Sequence, residues 1–127
     1  MQITFGLFDQ TVHASREVDT AAVFATVSQR IAGMLPTPGT NFAAGFGHIA
    51  GGYQSSYYGY LWSEVFCEDM FASKFGDGKV LDPAVGAEYR EKILARGGSW
   101  DAIDMLRDFL GREPSKAAFL RSKGLQV

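Results

Sequence analysis

The spacing of apolar residues predicts a helix that follows Asp19. Beyond this residue, apolar side chains recur at every fourth position, as on one face of an α-helix, at Val23, Val27, Ile31 and Leu35. Asp19 is a suitable N-cap, because its carboxylate can accept hydrogen bonds from the unpaired N–H groups of the first turn. Pro36 and Pro38 cannot continue a helix. We therefore expect this helix to extend to Leu35 and to stop at the sequence "PTPG".

The N-terminal residues 2–13 fit two kinds of element. An alternation typical of a β-strand occurs at Ile3, Phe5 and Leu7. The same segment also has helical spacing, at Leu7, Phe8 and Val12. The pattern by itself leaves both a strand and a helix open here.

A long apolar segment in the middle of the chain predicts a buried helix. Residues 36–54 are rich in glycine and irregular, whereas residues 55–75 are apolar nearly all round the helical projection. A helix of this kind usually packs against neighbours on several sides. We therefore expect Trp62 and Phe66 to be core residues, and Cys67 to be a small core hydrophobe rather than a reactive thiol.

The last third of the chain, residues 82–127, predicts further helices separated by glycine and proline. Asp82 is an N-cap followed at once by a first-turn proline, so a helix begins here and runs to about Arg96. Gly97 and Gly98 mark its end.

Two shorter helices complete the chain. Ser99 is the expected N-cap of a helix over "WDAIDMLRDFL", which ends at Gly111. A final helix follows Pro114 and ends near Gly124. These elements predict a mainly α fold, and the length of 127 residues is that of one domain, 1–127.

The composition excludes several classes of partner. Apolar residues make up 46% of the sequence and charged residues 20%, as in ordinary globular chains. The net charge of −2 offers no basic surface for nucleic acid, and no apolar run is long enough to cross a membrane. The N-terminus lacks the pattern of a secretory signal, and the single cysteine, Cys67, suits a reducing compartment. We expect a location in the cytoplasm or in an organelle matrix.

The common catalytic motifs are absent from the sequence. It has no pair of histidines at metal-binding spacing, no Cys-x-x-Cys, no phosphate-binding glycine loop and no Gly-x-Ser-x-Gly. Glu64 and Asp69 lie five positions apart, too far round a helix to act as a close carboxylate pair. We expect these two side chains to be solvated or salt-bridged.

The candidate chemistry is concentrated in "GHIAGGYQSSYYGYLW", residues 47–62. Gly47, Gly51 and Gly52 flank His48, so the backbone beside the imidazole can adopt positive φ angles and approach a ligand closely.

Three tyrosines of this stretch have spacings that suit a common site. Tyr57 and Tyr60 lie three positions apart, which puts them on one face if a helix already runs there, and Tyr53 precedes them. Each phenol is a neutral hydrogen-bond donor near pH 7, so phenols and an imidazole that converge could stabilise a developing oxyanion. The alternative is an aromatic helix start that packs on a glycine turn, with its hydroxyls in water.

The segment "TPGTNFAAGFGHIAGGYQSSYYGYLWSEVFCEDMF" resembles the glycine- and tyrosine-rich part of the thimet oligopeptidase and neurolysin family of zinc metallopeptidases. The C-terminal "ILARGGSWDAIDMLRDFLGREPSKAAFLRSKGLQV" is similar to the way in which these enzymes end. The resemblance extends over nearly the whole chain, and it is strongest from Thr37 onward and weakest before Thr20.

The resemblance implies an enzyme that cuts short peptides in a channel between two mostly helical lobes. In that family a His-Glu-x-x-His helix and a downstream glutamate hold zinc, which polarises the scissile carbonyl and activates water. By motif position, His48 in "FGHIAGGY" and Tyr53 in "GGY" would contact substrate. Gly51 and Gly52 would belong to the same substrate loop and let it close over peptides of differing sequence.

The resemblance also assigns roles to the two tyrosines of "YYGY" that share a helix face. Tyr57 and Tyr60 would line the channel, and Tyr60 would donate a hydrogen bond to the oxyanion. The catalytic candidates are therefore Tyr60 and His48.

The sequence departs from the family pattern, because it contains no His-Glu-x-x-His. The resemblance implies that the zinc ligands precede Met1, so we expect this chain to be a C-terminal fragment that binds no zinc and is inactive alone. Gln54 stands where close relatives are expected to carry an acidic residue, which affects substrate preference.

The expected partners are short peptides and the missing N-terminal part of the peptidase, with no nucleic acid and no membrane. Apolar surface left exposed would also favour self-association into a homo-oligomer. The alternative function is a free-standing, non-catalytic helical module that binds peptides or protein partners through the same tyrosine surface.

Overall fold

A computed structural model of the chain describes residues 1–126, and these form helices and turns without a β-strand. The mainly α class predicted from the sequence is therefore confirmed. The chain divides into two compact units, Met1–Trp62 and a second unit that begins at Ser63. No helix within the described residues combines the length and the apolar character that spanning a bilayer requires.

The first unit begins with helix α1, Gln2–Ala14, which resolves the ambiguity of residues 2–13 in favour of a helix. Helix α1 packs against helix α2, Thr20–Ala32. Their contact is aromatic: the rings of Phe8 and Phe24 meet edge to face, with centroids 5.5 Å apart. The Phe24 ring in turn stacks on Phe42 at 4.0 Å. Phe8 and Phe24 are buried in the core of this unit, and Phe42 is half-buried beside them.

Helix α2 begins where the sequence predicts but ends earlier. Asp19 Oδ1 accepts hydrogen bonds from the N–H groups of Ala21 and Ala22 at 3.0 and 3.1 Å, so the predicted N-cap is confirmed. The helix stops because Gly33 adopts a left-handed conformation, with φ +68°, and donates its N–H to Gln29 O. The predicted extension to Leu35 is wrong: Leu35 lies beyond the helix and is 71% exposed.

Two short elements follow in the first unit, and a longer helix begins near its end. Helix α3 spans Phe42–Gly45, a 3₁₀ turn spans Gly47–Ala50, and helix α4 spans Gly59–Met70. A π-helical segment, Phe71–Phe75, extends α4. The predicted start at residue 55 is wrong, because Ser55 has φ +57°, a left-handed angle that a continuous α-helix cannot contain.

Helix α4 is less buried than its apolar sequence predicts. Its buried residues are Val65 and Asp69, whereas Trp62 is 58% exposed and Cys67 is exposed. The expectations that Trp62 and Cys67 are core residues are therefore wrong. A helix that is apolar all round needs neighbours on every side, and the described residues leave several apolar side chains of α4 only half-buried.

Among the described residues, the second unit continues with helices α5, α6 and α7. Helix α5, Pro83–Tyr89, passes into a π-helical segment, Arg90–Leu94, and is followed by α6, Ala102–Leu110, and α7, Ala117–Ser122. Asp82 Oδ1 accepts from the N–H groups of Ala84 and Val85 at 2.8 and 3.4 Å, so this predicted N-cap is confirmed.

Helix α6 begins at a different cap from the one predicted. Asp101 Oδ1 accepts the Ile103 N–H at 3.0 Å, whereas the Ser99 hydroxyl donates to Arg96 O at 2.6 Å. Ser99 therefore closes the preceding turn, and its predicted role as N-cap is wrong. The predicted end is confirmed, since Gly111 is left-handed with φ +70°.

An ion pair between the buried Asp69 carboxylate and the exposed Arg112 side chain lies in the second unit. Arg112 Nη2 lies 2.6 Å from Asp69 Oδ1, and the Ser115 N–H donates to Asp69 Oδ2 at 2.7 Å. Burial raises the pKa of the Asp69 carboxyl, but the hydrogen bonds from Arg112 and Ser115 outweigh burial, so the pKa is lowered. Glu64 pairs with Lys123 at 2.6 Å. The expected salt-bridged roles of Glu64 and Asp69 are confirmed.

Candidate functional site

The segment that leads to the candidate site is a series of short, capped turns. Asn41 caps α3 by accepting the Ala43 N–H at 3.1 Å. Phe46 then ends α3, and the 3₁₀ turn that follows carries His48. The Phe46 ring packs edge to face against Tyr57 at 5.0 Å, which ties this turn to the core of the first unit.

The structure brings together the four aromatic residues that the sequence singles out. His48 lies 4.7 Å from Tyr53, 5.9 Å from Tyr57 and 6.1 Å from Tyr60, measured between ring centroids. Tyr60 lies 5.4 Å from Tyr53 and 5.0 Å from Tyr57. We call His48, Tyr53, Tyr57 and Tyr60 the tyrosine–histidine cluster. All four belong to the first unit.

The cluster has a buried base and an accessible face. Tyr57 is only 8% exposed, so its ring is part of the core, while Tyr53 and Tyr60 are each 39% exposed. His48 is also exposed. An imidazole and two phenols are therefore open to solvent above a packed aromatic floor. Such a surface combines hydrogen-bond donors with flat apolar faces.

The phenols influence one another electrostatically. The pKa of Tyr60 is raised above its ordinary value, first by the hydrogen-bonding interaction with the Tyr53 side chain and then by burial. The neighbouring phenols of Tyr53 and Tyr57 add charge repulsion against a tyrosinate. Tyr60 is therefore a protonated donor at neutral pH.

The glycines between His48 and Tyr53 are required by the backbone. A Cβ at Gly51 would lie 2.6 Å from Gly47 O, and Gly52 has φ +102°. The side chain of Gln54 accepts the Gly52 N–H at 3.0 Å and closes this turn. Gly51 and Gly52 thus allow the chain to fold back and bring Tyr53 onto His48.

The sequence matches that of a known protein family over almost its entire length, residues 1–125. The chain belongs to peptidase family M3. Saccharolysin of Saccharomyces cerevisiae is 45% identical over an alignment of 130 positions, which covers 98% of this chain and 18% of saccharolysin. The probable thimet oligopeptidase of Arabidopsis thaliana is 38% identical, with 96% of this chain and 17% of the relative covered. Oligopeptidase A of Escherichia coli is 36% identical, with 98% and 19% covered.

These similarities confirm the resemblance inferred from the glycine- and tyrosine-rich segment. This member of family M3 spans less than a fifth of the length of those three relatives. The match to the family includes the segment that contains the tyrosine–histidine cluster, because residues 1–125 include all four side chains.

One residue beside the cluster was missed by sequence reasoning. Asp9 of α1 is fully buried, and its carboxylate accepts the backbone N–H groups of Ser55 and Tyr57, each at 3.0 Å. The only signal in the sequence is an acidic residue within the apolar run "FGLFDQTV". That signal does not identify partners more than forty positions away.

Proposed function

We propose that this chain is the substrate-binding part of a zinc metalloendopeptidase that hydrolyses short peptides. Membership of peptidase family M3 supports peptide hydrolysis as the reaction. One observation carries the substrate-binding role: the rings of His48, Tyr53 and Tyr60 lie with their centroids 4.7–6.1 Å apart on one accessible surface, above the buried Tyr57 ring.

Zinc belongs to the proposal as a cofactor of the longer enzyme, where it would polarise the scissile carbonyl and activate water. The side chains of residues 1–126 do not form a zinc site. The sequence has no His-Glu-x-x-His, and residues 1–126 contain no group of three or more His, Cys, Asp or Glu side chains placed to hold a metal. In this proposal the chain's own residues therefore bind and orient the peptide.

Tyr60 is the proposed donor to the oxyanion of the transition state. Its raised pKa keeps the phenol protonated, and a fixed O–H donor becomes more stabilising as negative charge develops on the carbonyl oxygen. His48 and Tyr53 are the proposed contacts to the peptide itself, since both are exposed beside Tyr60. Tyr57 supports them from below.

The proposed substrate class is short peptides of varied sequence. The cluster offers neutral donors and aromatic faces, which suit the peptide backbone better than any one side chain. Gly51 and Gly52 lie on the turn beside the cluster and provide the conformational freedom for the loop to adjust to different peptides. A cytoplasmic location remains part of the proposal, and the free, exposed thiol of Cys67 is compatible with a reducing compartment.

The test is a chimera in which this chain replaces the matching segment of E. coli oligopeptidase A, which is 36% identical to it. Hydrolysis of a quenched fluorescent peptide is measured for the chimera and for its Tyr60→Phe variant. We expect kcat to fall about 100-fold in the variant, because one transition-state hydrogen bond is lost.

Tyr58→Phe is the matched control for this experiment. Tyr58 is a neighbouring exposed tyrosine, but it lines a separate groove with Gly6 and Leu61. We expect the kcat of the Tyr58→Phe chimera to equal that of the parent chimera. A folded, zinc-loaded chimera in which Tyr60→Phe is as active as the parent would contradict the proposed role. Peptide binding without any hydrolysis would favour the non-catalytic module instead.

A further inference from the structure

We propose that Asp9 is a positioning residue that holds the tyrosine–histidine cluster in its working shape. It would do so by fixing the turn Ser55–Tyr57, which carries Tyr57 and leads into α4, where Tyr60 lies. This inference rests on the function proposed above, because it assigns to Asp9 the support of the substrate-binding residues.

The hydrogen bonds of Asp9 reach across the first unit. The carboxylate is fully buried, with Oδ1 bound to the Ser55 N–H and Oδ2 to the Tyr57 N–H, each at 3.0 Å. His13 Nδ1 lies 2.8 Å from Oδ1. Hydrogen bonds from backbone N–H groups to a carboxylate are stronger than those between neutral groups. The Asp9 side chain of α1 thus determines the positions of two backbone N–H groups, those of Ser55 and Tyr57.

The turn that Asp9 holds is strained. Ser55 has φ +57°, a left-handed angle that a residue other than glycine seldom adopts. Such a conformation persists where the surroundings hold it in place. Here the neighbouring Gln10 contributes as well, because its Nε2 donates to Ser55 O at 2.7 Å. Asp9 and Gln10 therefore hold both the N–H and the carbonyl of the strained residue.

The constraint passes from the turn to the cluster through the backbone. Tyr57 donates its N–H to Asp9, and Tyr57 O accepts the Tyr60 N–H at 3.3 Å as α4 begins. Ser56 O likewise accepts the Gly59 N–H at 2.9 Å. A displacement of Tyr57 would therefore move Tyr60 as well, and with it the face that Tyr60 presents to His48.

Asp9→Asn tests the inference with little change in shape. The asparagine amide has one oxygen and one NH₂, so it can accept one of the two backbone N–H groups and meets the other with a donor. The turn should then relax and the rings should separate.

Asp69→Asn is the matched control. Asp69 is also buried and also accepts a backbone N–H from a residue 46 positions away, Ser115. Asp69 lies in the second unit, and so do Arg112 and Ser115, with which it forms hydrogen bonds.

The measurement is NMR of the aromatic C–H groups in the 127-residue chain. In the parent chain the His48 ring protons should be shifted by the tyrosine rings around it. Asp9→Asn should move these shifts toward those of an unstructured histidine, whereas Asp69→Asn should leave them in place. The NMR spectra are recorded at a temperature at which circular dichroism shows that each variant keeps the helical signal of the parent.

A second variant covers the case in which Asp9→Asn does not fold. Gln10→Ala removes an exposed side chain that makes one hydrogen bond to the turn, so it should fold and move the His48 shifts in the same direction by a smaller amount. Unchanged shifts in a folded Asp9→Asn chain would overturn the inference. If that variant is unfolded, unchanged shifts in Gln10→Ala would overturn it.

The chimera separates this inference from the proposed function. There Asp9→Asn should lower kcat by about 10- to 100-fold, because misplacing a contacting group by about 1 Å can cost about 100-fold. KM should change less than kcat, since Asp9 does not itself face the peptide. Full activity of Tyr60→Phe would refute the function while the NMR result for Asp9 still held. A large effect of Tyr60→Phe with intact rings in Asp9→Asn would refute the inference alone.

Discussion

Tyr60 and Tyr57 lie three positions apart but occupy different environments. Tyr57 is buried among Phe5, Phe46 and its partners in the cluster, and Tyr60 is partly exposed beside the Tyr53 side chain. The consequence is that one phenol supports the surface and the other is available to a ligand. The difference depends on the point at which α4 begins, which is set by the turn before it.

The titration of Tyr60 provides a test at this scale. Its pKa is raised, first by the interaction with Tyr53, so its ionisation should occur at higher pH than that of an ordinary tyrosine. Tyr53→Phe should lower the pKa of Tyr60, whereas Tyr58→Phe should leave it unchanged. Ring carbon chemical shifts measured against pH resolve the individual tyrosines. A Tyr60 pKa that does not respond to Tyr53→Phe would contradict this account.

The same shift has a consequence for stability. A phenol with a raised folded-state pKa favours the folded chain while it stays protonated. This contribution is complete below the unfolded-state pKa of about 10 and is lost as the pH rises through the higher folded-state value. The free energy of unfolding, measured by urea titration, should therefore fall more in the parent chain than in the Tyr60→Phe variant as the pH rises through the folded-state pKa of Tyr60.

At the scale of the elements, short-range hydrogen bonds determine where helices begin and end. Asp19 and Asp82 cap their helices as the sequence predicts, because a cap and its partners lie within one turn. Local chemistry also explains the early end of α2, where Gly33 adopts the left-handed conformation before the prolines are reached. The sequence contains two helix terminators here, Gly33 and Pro36, and the helix ends at the first of them.

Two glycine substitutions should have opposite effects on stability. Gly33→Ala places a Cβ on a left-handed residue and should lower the free energy of unfolding by about 1–2 kcal/mol. Gly86→Ala should raise it by up to about 1 kcal/mol, because Gly86 lies inside α5, has no positive φ, and a Cβ there meets no atom within 4 Å. Urea unfolding followed by circular dichroism measures both. A stabilising Gly33→Ala would show that the left-handed cap does not limit α2.

At the scale of the whole molecule, apolar surface is the notable property. In the first unit Ile3, Leu7, Tyr58 and Leu61 line a groove of about 400 Å³, and Ile3 and Tyr58 are more than half exposed. Exposed apolar patches of this kind favour association. The predicted self-association stays a prediction, and the groove is the natural place to test it.

Sedimentation velocity over a range of concentrations tests self-association. We expect the 127-residue chain to form larger species as the concentration rises, and Ile3→Lys to weaken this effect by placing a charge in the groove. Leu81→Lys is the control, because Leu81 is 93% exposed but does not line the groove. A chain that stays monomeric throughout, or an equal effect of both variants, would contradict the prediction.

The sequence by itself determined the mainly α class and the N-caps Asp19 and Asp82, and it singled out the residues of the candidate site. These features depend on periodicity, on hydrogen bonds within one turn and on a family resemblance that is visible in "GHIAGGYQSSYYGY". Tertiary structure alone decided which residues of α4 are buried, that Ser55 is left-handed, and that Asp9 holds Ser55 and Tyr57. The physical reason is range: an apolar pattern shows that a face will be covered, but the residues that cover it lie far away in the sequence. The hydrogen bonds from the N–H groups of Ser55 and Tyr57 to Asp9 form only when α1 has packed against residues 55–57.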